Sequence, residues 1–593
     1  MPSKARNNFI NLAGVLLVYL IVFFMIERGV FSRYEAGIIQ VVCINIILAV
    51  SLNLVVGLLG QLALGHAGFV SVGAYACALF WLNVEMPYNM TYMTGLLCGG
   101  LVAALVGVLI GIPALRLRGD YLAIITLGFG EIIRVVINFL PFTGGAKGLR
   151  GIPGFIEFPS VYFIMALFIC GIVTLIKSRH GRAIIAIRED EIAAEAAGIP
   201  TTFYKVFTFA VAAFMAGVAG GLLASYNRIL VPASFGFMKS IEIVVMVVLG
   251  GMGSITGSVI AATVLTVLPE ALRVIADYRM VVYSLLLILM MLFRPEGLLG
   301  RKEFSLTRLV DWALAQFKKL SRPQSVKGSD VPDRSPDAGE RPLLVISHLG
   351  ISFGGLRALD DVSLTVNTNE IVGLIGPNGA GKTTVFNLLT SVYRPTDGSI
   401  TLDGVSLVGK KTYQITREGV ARTFQNIRLF KGDTVIENVK TAFQSRMKYS
   451  ILAGMLRLPS YHREELEIDR RARELLQVFD LERFADERAD SLPYGAQRKL
   501  EIARALASNP KLLLLDEPAA GMNPIETQEL MKTIQTIRSR FSVAILLIEH
   551  DMSLVMGICE RILVLDYGQT IAVGTPEEIR SNARVIGAYL GGE

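Results

Sequence analysis

Residues 371–383 read IVGLIGPNGAGKT, and this stretch decides the fold of the C-terminal half of the chain. The first five residues are continuously apolar, which predicts a buried parallel strand. The pattern GxxxxGK[ST] follows at 376–383, and a helical run is expected from Thr384. Glycines let the backbone wrap around phosphates, and the start of the helix supplies amides and a positive dipole. The sequence therefore predicts a strand–loop–helix unit that binds the phosphates of a nucleotide.

Particular side chains of this loop have predicted roles. We expect Lys382 to reach the β- and γ-phosphates and the hydroxyl of Thr383 to ligate Mg²⁺. The residues predicted to bind the nucleotide here are Gly376, Asn378, Gly379, Gly381, Lys382, Thr383 and Thr384.

Two further apolar strands end in residues that suit phosphate chemistry. The strand Leu512–Leu515 is followed by Asp516, placed to hold Mg²⁺ through water, and by Glu517, placed to polarise the attacking water as general base. The strand Val543–Ile548 is followed by Glu549 and His550. The order of these elements favours contact between His550 and the γ-phosphate.

Residues 343–593 resemble the nucleotide-binding domain of an ABC transporter. Phe353, in ISFGG, matches the aromatic that stacks on adenine, and Gln425, in ARTFQNIRLF, matches the glutamine that senses the γ-phosphate. The stretch LPYGAQRKLEIARALA occupies the signature-motif position with Gly495, and His550 matches the switch histidine. The resemblance implies an α/β P-loop fold, ATP and Mg²⁺ as cofactors, and catalysis by Glu517. It assigns His550 and Gln425 to catalysis as well, and the Mg²⁺ ligands are Thr383, Gln425 and Asp516.

Two residues depart from the general pattern of ABC nucleotide-binding domains, and they narrow the resemblance to one group within that family. Pro493 replaces a serine of the signature motif, and Asn523 stands where aspartate is common. The stretches PYGxQRxLEIARAL, DEPAAGxNP and the C-terminal YLGxE are similar to the ATP-binding subunit of branched-chain amino-acid uptake systems.

The N-terminal half has a different composition. Residues 1–300 hold 19 of the 57 Lys and Arg residues and 14 of the 50 Asp and Glu residues. The whole chain is 52% hydrophobic, which excludes a disordered protein, a disulfide mini-protein and an ordinary soluble enzyme. Its net charge of +7 fits basic loops beside membrane spans, so nucleic acid is not an expected partner.

Apolar runs long enough to cross a bilayer recur through this half. Lys4 and Arg6 favour a cytoplasmic N-terminus. The soluble half must also be cytoplasmic, so an even number of crossings is needed. Nine such runs occur, and the run 241–268 is interrupted by GGMGS at 250–254. We expect this run to form two membrane segments, which gives ten crossings in all. The alternative is that another run only dips into the membrane. The nine runs lie near 9–26, 37–56, 62–83, 92–112, 121–141, 160–177, 205–226, 241–268 and 277–293.

The polar residues within these runs are few. Glu131 and Arg134 are three apart and are expected to pair, with a structural or a gating role left open. His66 is interpreted as a packing histidine, and the many glycines as sites of close helix packing rather than a substrate path. Because the spans lack a chain of acidic residues and histidines, the energy for transport must come from the other half.

The membrane half is similar to one permease subunit of the same uptake systems. The stretches GLLGQLALGHAGFVSVGAYA, LRLRGDYLAIITLGFGEIIRVV and LGGMGSITGSVIAA carry this resemblance. The segment 186–199, AIREDEIAAEAAGI, resembles the coupling segment of that family and is expected to dock beside Gln425. The fold class is thus a polytopic α-helical membrane domain followed by an α/β P-loop ABC domain. The predicted domains are a permease of about 8–10 helices (1–300), an amphipathic segment and linker (301–342) and the ATP-binding domain (343–593).

The predicted function is ATP-driven import of branched-chain or related hydrophobic amino acids across the cytoplasmic membrane. Urea, short amides and aromatic acids remain alternative substrates. A half-exporter and a membrane-anchored non-transport ATPase are the rival classes, and the many short spans argue against both. The resemblance implies a second permease, a second ATP-binding subunit and an extracytoplasmic solute-binding protein as partners. Membrane lipid is a further expected partner. Pairing of two copies of this chain stays open.

Overall fold

The computed structural model describes residues 2–590 apart from 86, 116, 118, 276–277, 301–302 and 304–340. These residues form two compact units. The first consists of residues up to 188 together with 202–303, and the second of 189–201 together with 341–590. The predicted amphipathic segment and linker at 301–342 lie almost entirely outside the described residues.

The part of the chain before residue 300 is helical because, in a bilayer, a helix satisfies its own backbone hydrogen bonds. Six of its described helices are long and apolar enough to cross a membrane, as judged by length and composition. The helices are α1 (Pro2–Glu27), α2 (Arg33–Asn53), α3 (His66–Asn83), α4 (Tyr88–Ala114), α5 (Asp120–Phe139), α6 (Phe158–Ile176), α7 (Arg179–Glu189), α8 (Glu191–Ala196), α9 (Thr201–Asn227), α10 (Phe237–Gly250), α11 (Ile255–Ala271) and α12 (Arg279–Phe293). A two-stranded ribbon pairs β1 (Leu149–Arg150) with β2 (Ile229–Leu230).

The break expected within 241–268 is confirmed. Helix α10 ends at Gly250 and α11 begins at Ile255. Gly251 and Gly253 between them have φ of +106° and +94°, a region that side chains other than glycine rarely adopt. The side chain of Ser254 then caps α11 by accepting a hydrogen bond from a backbone N–H.

The run expected over 62–83 is helical only from His66. Helix α2 continues into a π-helical turn over Leu54–Leu58, and residues 60–65 have no regular structure. Gln61, expected inside a span, therefore lies in a connecting segment. The segment keeps its backbone satisfied: Gln61 N donates to the carbonyl of Val55 (3.0 Å), and Leu64 N donates to Thr126 Oγ1 (3.1 Å).

Three polar residues of the membrane half, Glu131, Arg134 and His66, have side-chain partners. Arg134 Nε donates to Glu131 Oε2 at 2.6 Å, so the expected pair is confirmed. The other oxygen of Glu131 accepts the backbone N–H of Phe237 (3.0 Å), which ties the pair to the start of α10. His66 is buried with its Nε2 2.8 Å from Ser51 Oγ, consistent with the packing interpretation.

Glycines bring helix backbones into direct contact. A Cβ on Gly73 of α3 would lie 2.1 Å from the Cα of Gly217 on α9. A larger residue at Gly73 must push α3 and α9 apart, so this glycine supports the packing interpretation.

The second unit has an α/β core with two sheets. Five parallel strands and one antiparallel edge strand form the six-stranded sheet, in the order β12-β11-β5-β10-β9-β8. A four-stranded antiparallel sheet has the order β4-β3-β6-β7. The strands are β3 (Pro342–Phe353), β4 (Leu356–Asn367), β5 (Ile371–Ile375), β6 (Asp397–Leu402), β7 (Val405–Ser406), β8 (Val420–Arg422), β9 (Leu512–Asp516), β10 (Ala544–Ile548), β11 (Arg561–Asp566) and β12 (Gln569–Gly574).

Helices cover this sheet, and all residues of β5, β9 and β10 are buried, as their continuous apolar sequences predict. The helix after the phosphate loop begins at Lys382, two residues before the predicted start, because Gly381 takes the cap position. The helices are α13 (Lys382–Leu389), α14 (Thr412–Glu418), α15 (Val435–Ala442), α16 (Ile451–Met455), α17 (Pro459–Val478), α18 (Tyr494–Ala507), α19 (Pro524–Phe541), α20 (Met552–Ile558), α21 (Pro576–Ser581) and α22 (Ala583–Leu590).

The packing role of glycine can be tested on α3. We expect Gly73→Ala to destabilise the protein by about 1–3 kcal/mol, because the added methyl overlaps the backbone of Gly217. Gly128→Ala on α5 is the matched control, since a Cβ there meets nothing within 4 Å. Thermal unfolding of the two variants in detergent compares them directly. Equal stability of both variants would contradict the packing interpretation.

Candidate active site

The phosphate loop joins β5 to α13 and depends on glycine at two points. A Cβ on Gly376 would lie 2.1 Å from the carbonyl oxygen of Leu565, and Gly381 has a φ of +101°. Lys382 begins α13, and its Nζ donates to the carbonyls of Gly376 (2.7 Å) and Pro377 (2.9 Å). Burial lowers the pKa of Lys382, while the charges of Glu517 and Asp516 oppose that shift. The ammonium therefore lies within the loop, close to the acidic residues.

The other predicted nucleotide-binding residues lie around this loop. Asn378, Gly379 and Thr383 are exposed, and Thr384 is half-buried. Phe353 ends β3 with 43% of its surface exposed, and its ring meets Tyr393 edge to face at 5.0 Å between centroids. An exposed aromatic face is suited to stacking on a base, and the role of Phe353 stays a prediction.

The carboxylate of Glu517 lies between two of the predicted catalytic side chains. Gln425 Nε2 donates to Glu517 Oε2 (2.8 Å), and His550 Nε2 lies 2.9 Å from Glu517 Oε1. Glu517 has a φ of +46°, which is uncommon for a residue with a side chain and is typical of functional sites. Its backbone is fixed by a hydrogen bond from Glu517 N to the carbonyl of Ile548 (2.9 Å). The fold thus brings together three residues that lie far apart in sequence.

Asp516, the last residue of β9, is buried beside Glu517. Arg422 Nη2 donates to Asp516 Oδ2 at 2.8 Å, and Arg422 also contacts Asn387 and Thr390 of the segment after the phosphate loop. Sequence reasoning did not single out Arg422. The sequence feature that could have identified Arg422 is a charged residue at the end of a short buried strand. A buried charge of this kind requires an ionic partner.

Arg498 is a second residue that sequence reasoning missed. It is completely buried and pairs with Glu501 (2.8 Å) one turn further along α18. Its guanidinium donates to three backbone carbonyls, those of Phe424 (2.6 Å), Gln425 (3.0 Å) and Glu517 (3.0 Å). Helix α18 therefore fixes both the loop that carries Gln425 and the end of β9. An Arg and a Glu three apart within the helix were the available signal.

Glu549 is the third residue of the site to which the sequence alone assigned no role. It is buried between β10 and His550, and burial raises its pKa. Three backbone N–H groups oppose that shift, those of Ala519, His550 and Asp551. The carboxylate therefore organises the loops that carry Glu517 and His550.

The signature motif lies at the start of α18. Gly495 is half-buried, and a Cβ there would lie 3.4 Å from Glu526 Oε1. Tyr494 Oη donates to the carbonyl of Ala520 (3.1 Å), joining the motif to the loop after Glu517. Asn523, which departs from the family pattern, caps α19 in a capping box with Glu526. Asparagine caps as well as aspartate, so this departure preserves the local structure.

A magnesium site would have to be completed by the nucleotide. Among the described residues, no group of three or more His, Cys, Asp or Glu side chains could hold a metal ion. The predicted ligands Thr383, Gln425 and Asp516 offer oxygen atoms, and Mg²⁺ is commonly held by one or two carboxylates together with substrate phosphates. This donor set fits Mg²⁺, which when bound would neutralise negative charge on the phosphates.

Residues 189–196 of the predicted coupling segment, which belong to the second unit, contact the ATP-binding domain. Arg428, three residues after Gln425, donates to Asp190 Oδ2 (2.9 Å), and Gly432 N donates to Glu189 Oε2 (2.9 Å). Thr416 Oγ1 donates to the carbonyl of Ala196 at 3.1 Å. The expected docking of this segment beside Gln425 is therefore confirmed.

Comparisons with known proteins agree with this geometry. A family model described as the permease component of the branched-chain amino acid transport system matches residues 35–293. A model described as ABC transporter matches 359–520, and one described as branched-chain amino acid ATP-binding cassette transporter matches 569–593.

The curated relatives match the C-terminal half. The high-affinity branched-chain amino acid transport ATP-binding protein BraF of Pseudomonas aeruginosa is 49% identical over 251 residues, which are 42% of this chain and 98% of BraF. The corresponding protein LivG of Escherichia coli is 51% identical with the same coverage. The lipopolysaccharide export system ATP-binding protein LptB of Haemophilus influenzae is 36% identical over 42% of this chain and 97% of LptB. A solved ATP-binding cassette in its ADP conformation, MJ1267, is 28% identical with a TM-score of 0.38, over 42% of this chain and 99% of that chain.

The fold and the arrangement around Glu517 define an ABC-type ATPase joined to a polytopic permease in one chain. The chain belongs to the family of branched-chain amino-acid ABC transporters, with the permease and ATP-binding subunits fused. It is a multi-pass protein of the cytoplasmic membrane whose ATPase domain is cytoplasmic, and it couples ATP hydrolysis to transport.

The role of Glu517 as general base is testable by one substitution. Glu517→Gln keeps a hydrogen-bonding side chain but removes the base, so steady-state phosphate release should fall about 10²–10⁴-fold while ATP binding is retained. Glu529→Gln, on the exposed side of α19, is the matched control and should hydrolyse ATP normally. Steady-state hydrolysis by the Glu517 variant close to that of the control would show that Glu517 is not the base.

Proposed function

We propose that this chain imports branched-chain amino acids by ATP hydrolysis, as one half of a binding-protein-dependent transporter. The observation that supports the substrate class is the permease match over 35–293, which carries the branched-chain description in the same chain as the ATPase. The match at 569–593 carries the same description. The ATPase half alone does not identify the cargo, since a protein named for lipopolysaccharide export is 36% identical to it.

The proposed chemistry follows from the hydrogen bonds around Glu517. Glu517 accepts a proton from the attacking water as it attacks the γ-phosphate, and Gln425 and His550 hold the carboxylate in place for that transfer. Lys382 and the amides of the phosphate loop stabilise negative charge on the phosphates. Phe353 stacks on the adenine.

The metal ligands are part of the same proposal. Thr383, Gln425 and Asp516 would hold Mg²⁺ together with the phosphates of ATP, and the ion would neutralise negative charge on those phosphates. The ion pair with Arg422 fixes the direction of the Asp516 carboxylate, whose other oxygen would be available to the ion.

The proposed assembly pairs this ATPase with a second one. Gly495 and the start of α18 bind the γ-phosphate held by the partner's phosphate loop, so each chain supplies half of each site. The partners are a second permease, a second ATP-binding subunit and an extracytoplasmic solute-binding protein. If the partner ATPase has an intact signature motif, the two sites are unequal, and the site that includes Pro493, which lacks the hydroxyl of the usual serine, is the weaker. The proposed domains are the permease (1–300), the linker (301–342) and the ATP-binding domain (343–593).

The proposed function is tested by transport in vesicles. The chain is purified with its neighbouring gene products, reconstituted, and assayed for uptake of labelled leucine and labelled urea with the cognate binding protein. We expect leucine to accumulate only when both ATP and the binding protein are present, and urea to be excluded. Uptake without any binding protein would contradict import by this mechanism. Preference for urea would contradict the substrate class.

A further inference from the structure

The break between α10 and α11 is held by one side chain of α2. Asn53 is completely buried and makes two hydrogen bonds across the break: Asn53 Nδ2 donates to the carbonyl of Ser254 (2.9 Å), and Gly253 N donates to Asn53 Oδ1 (2.8 Å). The amide thus replaces the backbone partners that the interrupted helix lacks. A buried amide satisfied in this way has a defined orientation, because reversing it would oppose both hydrogen bonds.

The backbones meet closely at the same point. A Cβ on Gly57 would lie 2.2 Å from the nitrogen of Gly253 and 1.8 Å from Asn53 Oδ1. The π-helical turn of α2 and the break therefore touch directly, and movement of one must displace the other.

Arg188 joins this contact from α7. Its Nη1 donates to the carbonyl of Gly57 (2.6 Å), and a Cβ on Gly253 would lie 2.9 Å from the same Nη1. A Cβ on Gly60 would lie 2.5 Å from Arg188 Cγ. We call Asn53, Gly57, Arg188, Gly253 and Ser254 the Asn53 junction.

Arg188 immediately precedes the residues that contact the ATPase. Glu189 accepts a hydrogen bond from the backbone of Gly432, and Asp190 pairs with Arg428. Arg188 and Glu189 both belong to α7, so displacement of Glu189 is passed to Arg188 through the hydrogen-bonded helix.

Residues that follow α12 also form hydrogen bonds on both sides of this break. Leu298 N donates to the carbonyl of Leu249 (2.8 Å), and Leu299 N donates to that of Gly250 (3.4 Å). Glu303 accepts the backbone N–H groups of Ile255 (2.6 Å) and Thr256 (3.1 Å) at the start of α11. The break is thus tied on one side to the coupling segment and on the other to the segment that continues toward the ATPase domain.

We propose that the Asn53 junction carries the movement of the coupling segment to the break between α10 and α11, with Asn53 and Arg188 as positioning residues for transport. In this scheme, movement at Asp190 shifts Arg188 against Gly57, and Asn53 transfers that shift to Gly253 and Ser254. The two left-handed glycines of the break absorb the change in backbone angles.

The test compares two asparagines of α2 in the reconstituted transporter with its partner subunits. Asn53→Ala removes both hydrogen bonds to the break. Asn45→Ala is the matched control, because Asn45 is also buried on α2 and donates to Thr266 of α11 (2.9 Å), away from the break. We expect leucine uptake per ATP hydrolysed to fall about tenfold in the first variant and to stay close to wild type in the second.

Two further outcomes decide the inference. An unchanged ratio in Asn53→Ala, or an equal loss of hydrolysis and uptake, would overturn it, because a purely structural role lowers both together. If Asn53→Ala does not assemble, Asn53→Asp keeps the acceptor for Gly253 and removes the donor to Ser254; an unchanged ratio there would also overturn the proposal. The inference rests on the proposed function, whose own failure shows separately as absence of leucine uptake by the wild-type transporter.

Discussion

The buried ion pair between Arg498 and Glu501 is the interaction on which the active site depends. Removing two charges from water is costly, and this pair offsets the cost by hydrogen bonds to backbone carbonyl and N–H groups. Arg498 donates to the carbonyls of Phe424, Gln425 and Glu517, while Glu501 accepts the N–H groups of Phe424 (3.3 Å) and Arg428 (3.2 Å). One helix therefore holds the whole loop from 424 to 428 against the end of β9.

That loop has a different partner at each end. The side chain of Gln425 contacts the carboxylate of Glu517, and the side chain of Arg428 contacts Asp190 of the coupling segment. Because the buried pair makes the loop rigid, a change in the position of Gln425 must also move Arg428. The geometry thus connects the site of hydrolysis to the segment that continues into the membrane helices. Fusion of permease and ATPase places both ends of this connection in one chain.

Local patterns explain which features were predictable. The strand and glycine loop at 371–383, the pair of Glu131 with Arg134 and the break at 250–254 each depend on residues close together in sequence. Arg498 and Arg428 find their key partners 73 and 238 residues away, so their roles depend on tertiary structure. The composition of the segment 60–65 is apolar enough to predict a membrane helix. The segment is not helical because its backbone forms hydrogen bonds to Thr126 and Val55 instead. The roles of the individual site residues in hydrolysis stay predictions.

We expect hydrolysis at Glu517 to reach the permease through the loop from Gln425 to Arg428, and a double-mutant cycle measures this connection. Asp190→Asn keeps the helix cap on α8 but removes the charge, and Arg428→Gln removes its partner. The measurement is leucine uptake per ATP hydrolysed for both single variants and the double variant in reconstituted vesicles. We expect each single change to lower the ratio and the double variant to be no worse than the worse single one. Normal ratios in both single variants, or losses that simply add in free energy, would contradict it.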